Sequence, residues 1–330
     1  MTEVDAPAGW ETELFGQALA SAPSVLNTQP WTLRVRPDRV ELSERTDVVL
    51  PFHDPTGRDR TISCGAAAVN LELALRAVGR SVRRTLSPEP EEPTLRVRFD
   101  LVGRADPTVT ERALHAAVPR RGSHRAPFAA RPVPEATVAD LVAAAGAEDV
   151  WIHPVAGDAE LEALADQLSA AGRAYRGDEG YQRELALWTV RDENHRRHGA
   201  GVARSSMLAT GRSVPSAGIV RPRTEVPDRA DLVENLRRER MLLSGTDTDD
   251  ASAHLRAGAA LQRVWLTAVA AGLAGAVQTQ PLQLPRIRTE LARRFGFDGY
   301  LQTLFRVGHP VGRPPASPRR SLGDVLHREP

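Results

Sequence analysis

A 16-residue stretch occurs twice in this chain, and the recurrence restricts what the chain can fold into. Cys64-Gly-Ala-Ala-Ala-Val-Asn-Leu-Glu-Leu-Ala-Leu-Arg-Ala-Val-Gly79 matches Ala257-Gly-Ala-Ala-Leu-Gln-Arg-Val-Trp-Leu-Thr-Ala-Val-Ala-Ala-Gly272. Gly65 and Gly79 recur as Gly258 and Gly272 at an offset of 193, and apolar positions 68, 71, 75 and 78 recur as 261, 264, 268 and 271. Both copies have the i, i+3, i+4 spacing of an amphipathic helix. In each, the first glycine permits close packing near the helix start, and the second falls where a C-terminal stop is expected. Upstream, Leu19–Trp31 leads into the strand-like Thr32–Arg36, and Ala143–Trp151 leads into Ile152–Val155, at an offset of 120.

The two offsets differ (193 − 120), so the second half carries about 73 extra residues. This insert, placed near 173–245, holds Tyr175, Tyr181, Trp188, His195 and His198, followed by a Gly/Ser/Pro/Arg-rich stretch over 199–229. Connections of this length are lids or disordered segments. Each half closes on a strand signal: Leu95–Leu101 alternates strictly after Pro88 and Pro93, and Leu304–Val307 precedes Gly308-His-Pro310. The expectation is an α+β fold of two pseudo-repeated halves, with helices packed around mainly antiparallel sheets. The halves would be 1–105 and 120–330, an intramolecular pseudo-dimer joined around 104–119.

Composition narrows the chemistry. All 43 Lys+Arg residues are arginine. A chain without lysine offers no Schiff base, no pyridoxal phosphate anchor and no Walker-A loop. Any anion must be held by arginine, backbone N–H groups or helix N-termini. The net charge of +1 gives no support to a nucleic-acid or membrane-surface role. With 41% hydrophobic and 26% charged residues, the composition is that of a soluble globular protein. A single cysteine excludes a disulfide framework and a multi-cysteine metal site, and suits the cytoplasm. The acidic, non-apolar start of the sequence reads as no signal peptide. The longest apolar run, Trp265–Val277, falls short of the ~18 residues a spanning helix needs.

Three segments carry candidate chemistry. In Ala22-Pro-Ser-Val-Leu-Asn-Thr-Gln-Pro-Trp31, Ser24, Asn27, Thr28 and Gln29 place donors and acceptors on a short loop stiffened by Pro23 and Pro30. Such a loop can line a planar, hydrogen-bonding ligand, and an ordinary polar turn has the same appearance. In Arg120-Arg-Gly-Ser-His-Arg125, the alternating Arg121, Ser123 and Arg125 project to one side of an extended chain. They make a fork for a phosphate, or else a solvated basic linker. The third is the polar loop Gln278-Thr-Gln-Pro-Leu-Gln283 with the later Pro318-Arg-Arg320, where Arg319 and Arg320 form a second phosphate-competent pair. Other signals are weaker. Cys64 lacks a neighbouring base, His195 and His198 lack further ligands, Gly199–Arg204 only brushes a dinucleotide fingerprint, and Asp54–Arg58 reads as a Pro/Gly turn.

Together the segments resemble the FMN-dependent nitroreductase family, through its APSxxNxQPW, RxSx(K/R) and terminal G-H-P … P-R-R patterns in the expected order. The similarity is greatest to the Acg-like branch, in which a nitroreductase dimer looks fused into one chain with a lid over the flavin. It runs from about 15 to 326 and includes Asp54–Arg58, Ser63–Gly65, Leu255–Gly258, Leu261–Arg263 and Thr279–Leu282. The resemblance implies FMN as a noncovalent cofactor. It implies Pro23, Ser24, Asn27, Arg121, Ser123, Arg125, Gln278, Thr279, Gln280, Arg319 and Arg320 as its binding residues. Gln278, Thr279 or Gln280 would bond near flavin N5, and Arg319 or Arg320 would face negative charge on the phosphate or reduced ring. Arg125 and Arg319 stand where the family commonly has lysine, and Gln283 where the branch often has Glu.

The loop motif survives only in half one and the phosphate motif only in half two, so one intact site per chain is expected. Hydride transfer to a nitroarene, quinone or activated alkene requires no dedicated acid–base residue, and none is assigned. The partners implied are a small-molecule substrate and NAD(P)H. The alternative is an FMN-sequestering protein whose lid blocks the nicotinamide. Either form would be a monomeric pseudo-dimer or a homodimer.

Overall fold

The computed structural model describes residues 5–87, 89, 91–190, 199–203, 219–221, 226–312 and 316–327. His195 and His198, Pro88, and much of the Gly/Ser/Pro/Arg-rich stretch lie outside the described residues.

The first half runs α1 (Gly9–Ala20), a 3-10 turn (Val25–Asn27), β1 (Trp31–Val35), β2 (Arg39–Glu44), α2 (Arg58–Ala77), β3 (Arg80–Leu86) and β4 (Leu95–Arg104). Helix α3 (Val109–Ala117) follows, started by a Thr108–Glu111 capping box, and joins the halves. The second half repeats the plan with α4 (Glu135–Ala145), a 3-10 turn (Gly146–Glu148) and β5 (Trp151–Pro154). Next come α5 (Gly157–Gly177), α6 (Glu179–Leu187), the short strands β6 (Thr189–Val190) and β7 (Val202–Ala203), and α7 (Arg229–Arg237). The plan then resumes with β8 (Arg240–Thr246), α8 (Ala251–Ala270) and β9 (Ala274–Gln278). A 3-10 turn (Gln280–Gln283), α9 (Pro285–Phe295), β10 (Tyr300–Gly308) and α10 (Leu322–Val325) complete the chain.

Two four-stranded antiparallel sheets result, ordered β1-β2-β4-β3 and β5-β8-β10-β9. In each, the strands of the repeat lie in the order first, second, fourth, third. The helices α2 and α8 begin and end 193 residues apart, the offset of the sequence repeat. Strand β4 shows why its segment is a strand: Leu95, Val97, Phe99 and Leu101 are buried while Arg96, Arg98 and Asp100 between them are partly exposed.

The halves meet along α2 and α8. A Cβ on Gly65 would stand 2.0 Å from the Leu255 carbonyl oxygen, and one on Gly258 would stand 1.9 Å from that of Ile62. Ile62 and Leu255 are themselves 193 apart, so the contact is reciprocal about a pseudo-twofold axis. Beside it, Gln262 donates to Asn70 at 2.7 Å, and Asn70 donates to the Ala18 carbonyl at 2.9 Å. One buried cluster spans both halves, joining Val69 and Leu73 of α2 to Trp265, Leu266 and Val269 of α8 and to Phe305 of β10.

Two boundaries differ from the sequence expectation. The added chain of the second half begins directly after β5, at 155 rather than 173. It ends before Arg240, because 240–246 is the central strand β8. Every residue of β8 after Arg240 is buried, so the strand lacks the alternation that would have marked it. The C-terminal segment also leaves its own half. Leu326 bridges to Leu33 of β1, His327 N–H donates to the Leu33 carbonyl at 2.8 Å, and Val325 lies in the core with Phe15 and Trp31. No helix among the described residues is long and apolar enough to cross a membrane.

Alanine at Gly65 or Gly258 should lower stability by about 3 kcal/mol or more, since a backbone carbonyl cannot rotate out of the way. Gly146 ends α4 at φ −61°, ψ −22°, and a Cβ placed there would meet nothing within 4 Å. Gly146→Ala should therefore be neutral or stabilising by a few tenths of a kcal/mol. Urea unfolding of the three variants checks both expectations.

Candidate functional site

The loop after α1 is bent hard. Leu26, Asn27 and Gln29 have φ of 44°, 55° and 51°, a region that residues other than glycine rarely occupy. Such strain persists only where surroundings over-determine it. Thr28 Oγ1 donates to the Val25 carbonyl at 2.9 Å, Gln29 N–H to Ser24 Oγ at 3.0 Å, and Val25 N–H to Ser63 Oγ of α2 at 3.1 Å. Two distant segments complete the hold. Asn27 Nδ2 donates to the carbonyls of Gly201 and Pro318, both at 3.0 Å, and Gln29 Nε2 donates to that of Gly199 at 2.6 Å.

This loop forms one wall of a cavity of about 940 Å³, counting its open mouth. Pro23, Ser24 and Asn27 line it from half one, and Arg121, Ser123 and Arg125 line it from half two. The last three sit on an extended segment pinned to β9, where Ser123 bridges to Gly275 and His124 N–H donates to the Gly275 carbonyl at 2.9 Å. Gln278, Thr279 and Gln280 enter from the end of β9, and Arg319 from the tail. Ten of the eleven residues singled out in the sequence are thus gathered around one space drawn from both halves.

Arg320 is the exception. It does not line the cavity; its N–H donates to Gln29 Oε1 at 3.0 Å and its Nε to the Thr28 carbonyl at 3.2 Å, so it braces the loop from behind. Asn27 lines the cavity, but its amide is committed to Gly201, Pro318 and Arg319, whose Nη1 donates to Asn27 Oδ1 at 3.2 Å. Its side chain shapes the site by tying loop, insert and tail together.

Three guanidiniums stand near one another in the lining. Arg121 stacks over the Trp265 ring at 5.0 Å and donates to the Ser21 carbonyl, and Arg319 donates to the Ala22 carbonyl at 3.1 Å. Burial pushes Arg121 well below the usual arginine range, with Arg319 and Arg125 adding repulsion, and burial alone brings Arg125 and Arg319 to about 10. Among the described residues no carboxylate pairs with any of the three, and Arg121 Nε has no partner. Such a cluster is a receptor for an anion.

Other lining residues carry an amide and a carboxylate. Gln278 is 1% exposed, and among the described residues neither its Nε2 nor its Oε1 has a hydrogen-bond partner. Asp59, in the first turn of α2, accepts from Arg58 Nη2 at 3.1 Å on Oδ1, while its buried Oδ2 accepts nothing from the described residues. Behind it, Asp54 accepts the N–H groups of Asp59 at 3.0 Å and Arg60 at 2.8 Å, and Gln283 Nε2 lies 3.3 Å away. Burial and the neighbouring Asp59 charge raise Asp54 to about 7. The Asp54–Arg58 stretch is therefore more than a turn: its acid caps α2, and Arg58 donates to the Thr279 carbonyl at 3.4 Å.

Sequence reasoning missed Asp59, Ser63 and Leu261, which also line the cavity. Asp59 stood inside a charged run ahead of an apolar helix, a signal that reads first as helix capping. The insert contributes Val202 and Ile219 to the lining. It is anchored to half one by Glu184, which accepts from His53 N–H and His53 Nδ1 at 2.7 Å, and by His53 stacked on Tyr181 at 4.0 Å. Tyr175 of α5 donates to the Gln280 carbonyl at 2.5 Å.

The related turn of half two, Gly146–Glu148, has a different outcome. Glu148 accepts from Arg84 of β3 at 3.0 and 2.6 Å and from Arg263 of α8 at 2.8 Å. Arg263 also bonds Glu72 at 2.8 Å. Here the arginines are neutralised by carboxylates.

A model of the nitroreductase family matches residues 118–309. Relatives in Mycobacterium tuberculosis match over nearly the whole chain. The protein provisionally named NAD(P)H nitroreductase Rv3131 is 35% identical over 92% of this chain and 88% of its own length. The one provisionally named NAD(P)H nitroreductase acg is 31% identical over 94% and 93%. The chain belongs to the nitroreductase family. Among solved structures, the FMN-dependent nitroreductase NfnB of Mycobacterium smegmatis in complex with NADPH aligns at 19% identity and a TM-score of 0.43, over 66% of this chain and 99% of that one.

Removing one unpaired guanidinium should weaken anion binding without unfolding the protein. Arg125→Ala is expected to cut the affinity for inorganic pyrophosphate at least tenfold, as befits a charge-assisted hydrogen bond. The melting temperature of the ligand-free protein should hold or rise, because an uncompensated charge has been removed. Calorimetric titration and a thermal melt read the two effects separately.

Proposed function

We propose that the cavity holds FMN and that the chain is an FMN-dependent oxidoreductase acting on electrophilic small molecules, a nitroarene, quinone or activated alkene. The observation that carries this reading is the set of three guanidiniums that, among the described residues, pair with no carboxylate, in one cavity with a buried amide whose two polar atoms are both unpaired there. Arg121, Arg125 and Arg319, with the Ser123 hydroxyl, suit the phosphate. Gln278 can both donate and accept, which suits a ring edge carrying both kinds of group. Pro23, Ser24, Thr279 and Gln280 would frame the ring, and Ile62, Ala66 and Leu261 give it apolar walls.

When bound, FMN supplies the hydride chemistry; the chain binds, orients and tunes it. The apolar walls exclude water and so strengthen the polar contacts inside. The strained Leu26–Gln29 loop fixes where Pro23 and Ser24 stand. The names of the Rv3131 and acg relatives support NAD(P)H as the electron donor. The carboxylate of Glu148 between Arg84 and Arg263 disfavours a second phosphate site in the related turn, which supports one FMN per chain.

One observation favours a second reading, an FMN-sequestering protein. Val202 and Ile219 of the insert line the cavity, and Gly199 and Gly201 are tied to the loop by Gln29 and Asn27, so the insert narrows the room for a nicotinamide.

The purified protein should be yellow, or become so with added FMN, at one FMN per chain. A colourless protein that takes up no FMN, or a stoichiometry of two, overturns the assignment. Anaerobic stopped-flow mixing with NADPH then separates the readings. Rapid bleaching marks the reductase, while bleaching by dithionite alone marks the covered, sequestering form.

A further inference from the structure

The guanidinium trio and the Gln278 amide leave one cavity group unassigned. Asp59 is 2% exposed, lines the cavity, and has one carboxylate oxygen with no partner among the described residues. Arg58 neutralises only the other oxygen, and it also donates to the carbonyls of Thr279 and Leu301. No ion pair among the described residues links Asp59 to Arg121, Arg125 or Arg319, so the cavity carries opposite charges on separate parts of its lining. A buried acceptor left without a donor is costly, and a ligand that supplies one is selected.

Resting on the FMN reading above, we propose that Asp59 selects the second ligand of this site: its free oxygen accepts from an N–H donor on the substrate. The flavin ring edge is mostly acceptors with a single N3–H donor, and the Gln278 amide, which both donates and accepts, can satisfy it where a carboxylate would meet repulsion from the acceptors. That leaves Asp59 to the molecule bound beside the ring. The apolar lining that Ile62, Ala66 and Leu261 give the ring is shared by a flat aromatic body stacked on it. The substrates favoured are therefore electron-poor aromatics bearing an amidinium, amine or amide group, and aromatic carboxylates of the same size are disfavoured.

The test uses the FMN-loaded protein and ligands that do not turn over. Calorimetry should show benzamidine binding at least tenfold more tightly than benzoate, a gap fitting one charge-assisted hydrogen bond. Asp59→Asn and Asp59→Leu should erase this preference while FMN affinity stays within about threefold of wild type. With 4-nitrobenzamide and 4-nitrobenzoate as substrates, the change should fall on KM more than on kcat. Three results overturn the proposal: no benzamidine preference in the wild-type protein, a preference that survives both substitutions, or a tenfold loss of FMN affinity on Asp59→Asn. The last would assign Asp59 to the ring. A protein that takes up no FMN defeats the functional reading itself, whereas a yellow protein without the preference defeats only the role of Asp59.

Discussion

Two glycines facing two carbonyls hold the halves in register. Gly65 packs on the Leu255 carbonyl and Gly258 on that of Ile62, and neither contact leaves room for a methyl group. Because the pairs are equivalent under the repeat, this one contact sets both the distance between α2 and α8 and the axis relating the halves. The cavity depends on it directly. Ile62, Ser63 and Ala66 of α2 line it beside Leu261 of α8, while the loop of half one and the arginines of half two close on it from either side. Moving the helices apart by a methyl group would separate the two groups of residues that make the site.

Arginine serves two opposite purposes in this chain. Buried in the frame it is paired: Arg80 bonds Glu11 at 2.9 and 2.6 Å, and Arg306 bonds Glu239 at 3.0 and 2.5 Å while lying over the Phe128 ring at 4.8 Å. At the cavity Arg121, Arg125 and Arg319 pair with no carboxylate among the described residues, and burial lowers their proton affinities. The contrast separates the two related turns of the halves. One keeps its arginines available to a ligand, and the other satisfies them internally through Glu148.

Much of this was legible in the sequence, for physical reasons that differ by element. The paired glycines were visible because only glycine tolerates a backbone contact, so the requirement leaves a mark at fixed positions. The polar loop and the Arg121, Ser123, Arg125 fork were visible because their residue types carry chemistry. Three features were not. Strand β8 is buried on both faces and so shows no alternation. The crossing of the tail onto β1 rests on backbone bonds such as His327 to Leu33, which leave no pattern in side chains. Arg320 and the Asn27 amide look like ligand-binding groups, yet they bond to Thr28, Gln29, Gly201 and Pro318. Only three-dimensional accounting of donors and acceptors distinguishes a group that meets a ligand from one that braces its pocket.

The cavity lining begins at Pro23 and ends at Arg319. A nascent chain that has emerged only as far as its first half therefore has the loop but none of the guanidiniums from 121, 125 and 319. The strained backbone at Leu26–Gln29 also lacks its anchors at Gly199, Gly201 and Pro318 until those residues have left the ribosome. Whatever occupies this space meets its full lining only once the chain has been made through Arg319. Loss of the chain from Pro318 onward would take away Arg319 and the Asn27 anchor, and with them Val325 from the core against Phe15 and Trp31, so pocket and frame would be damaged together.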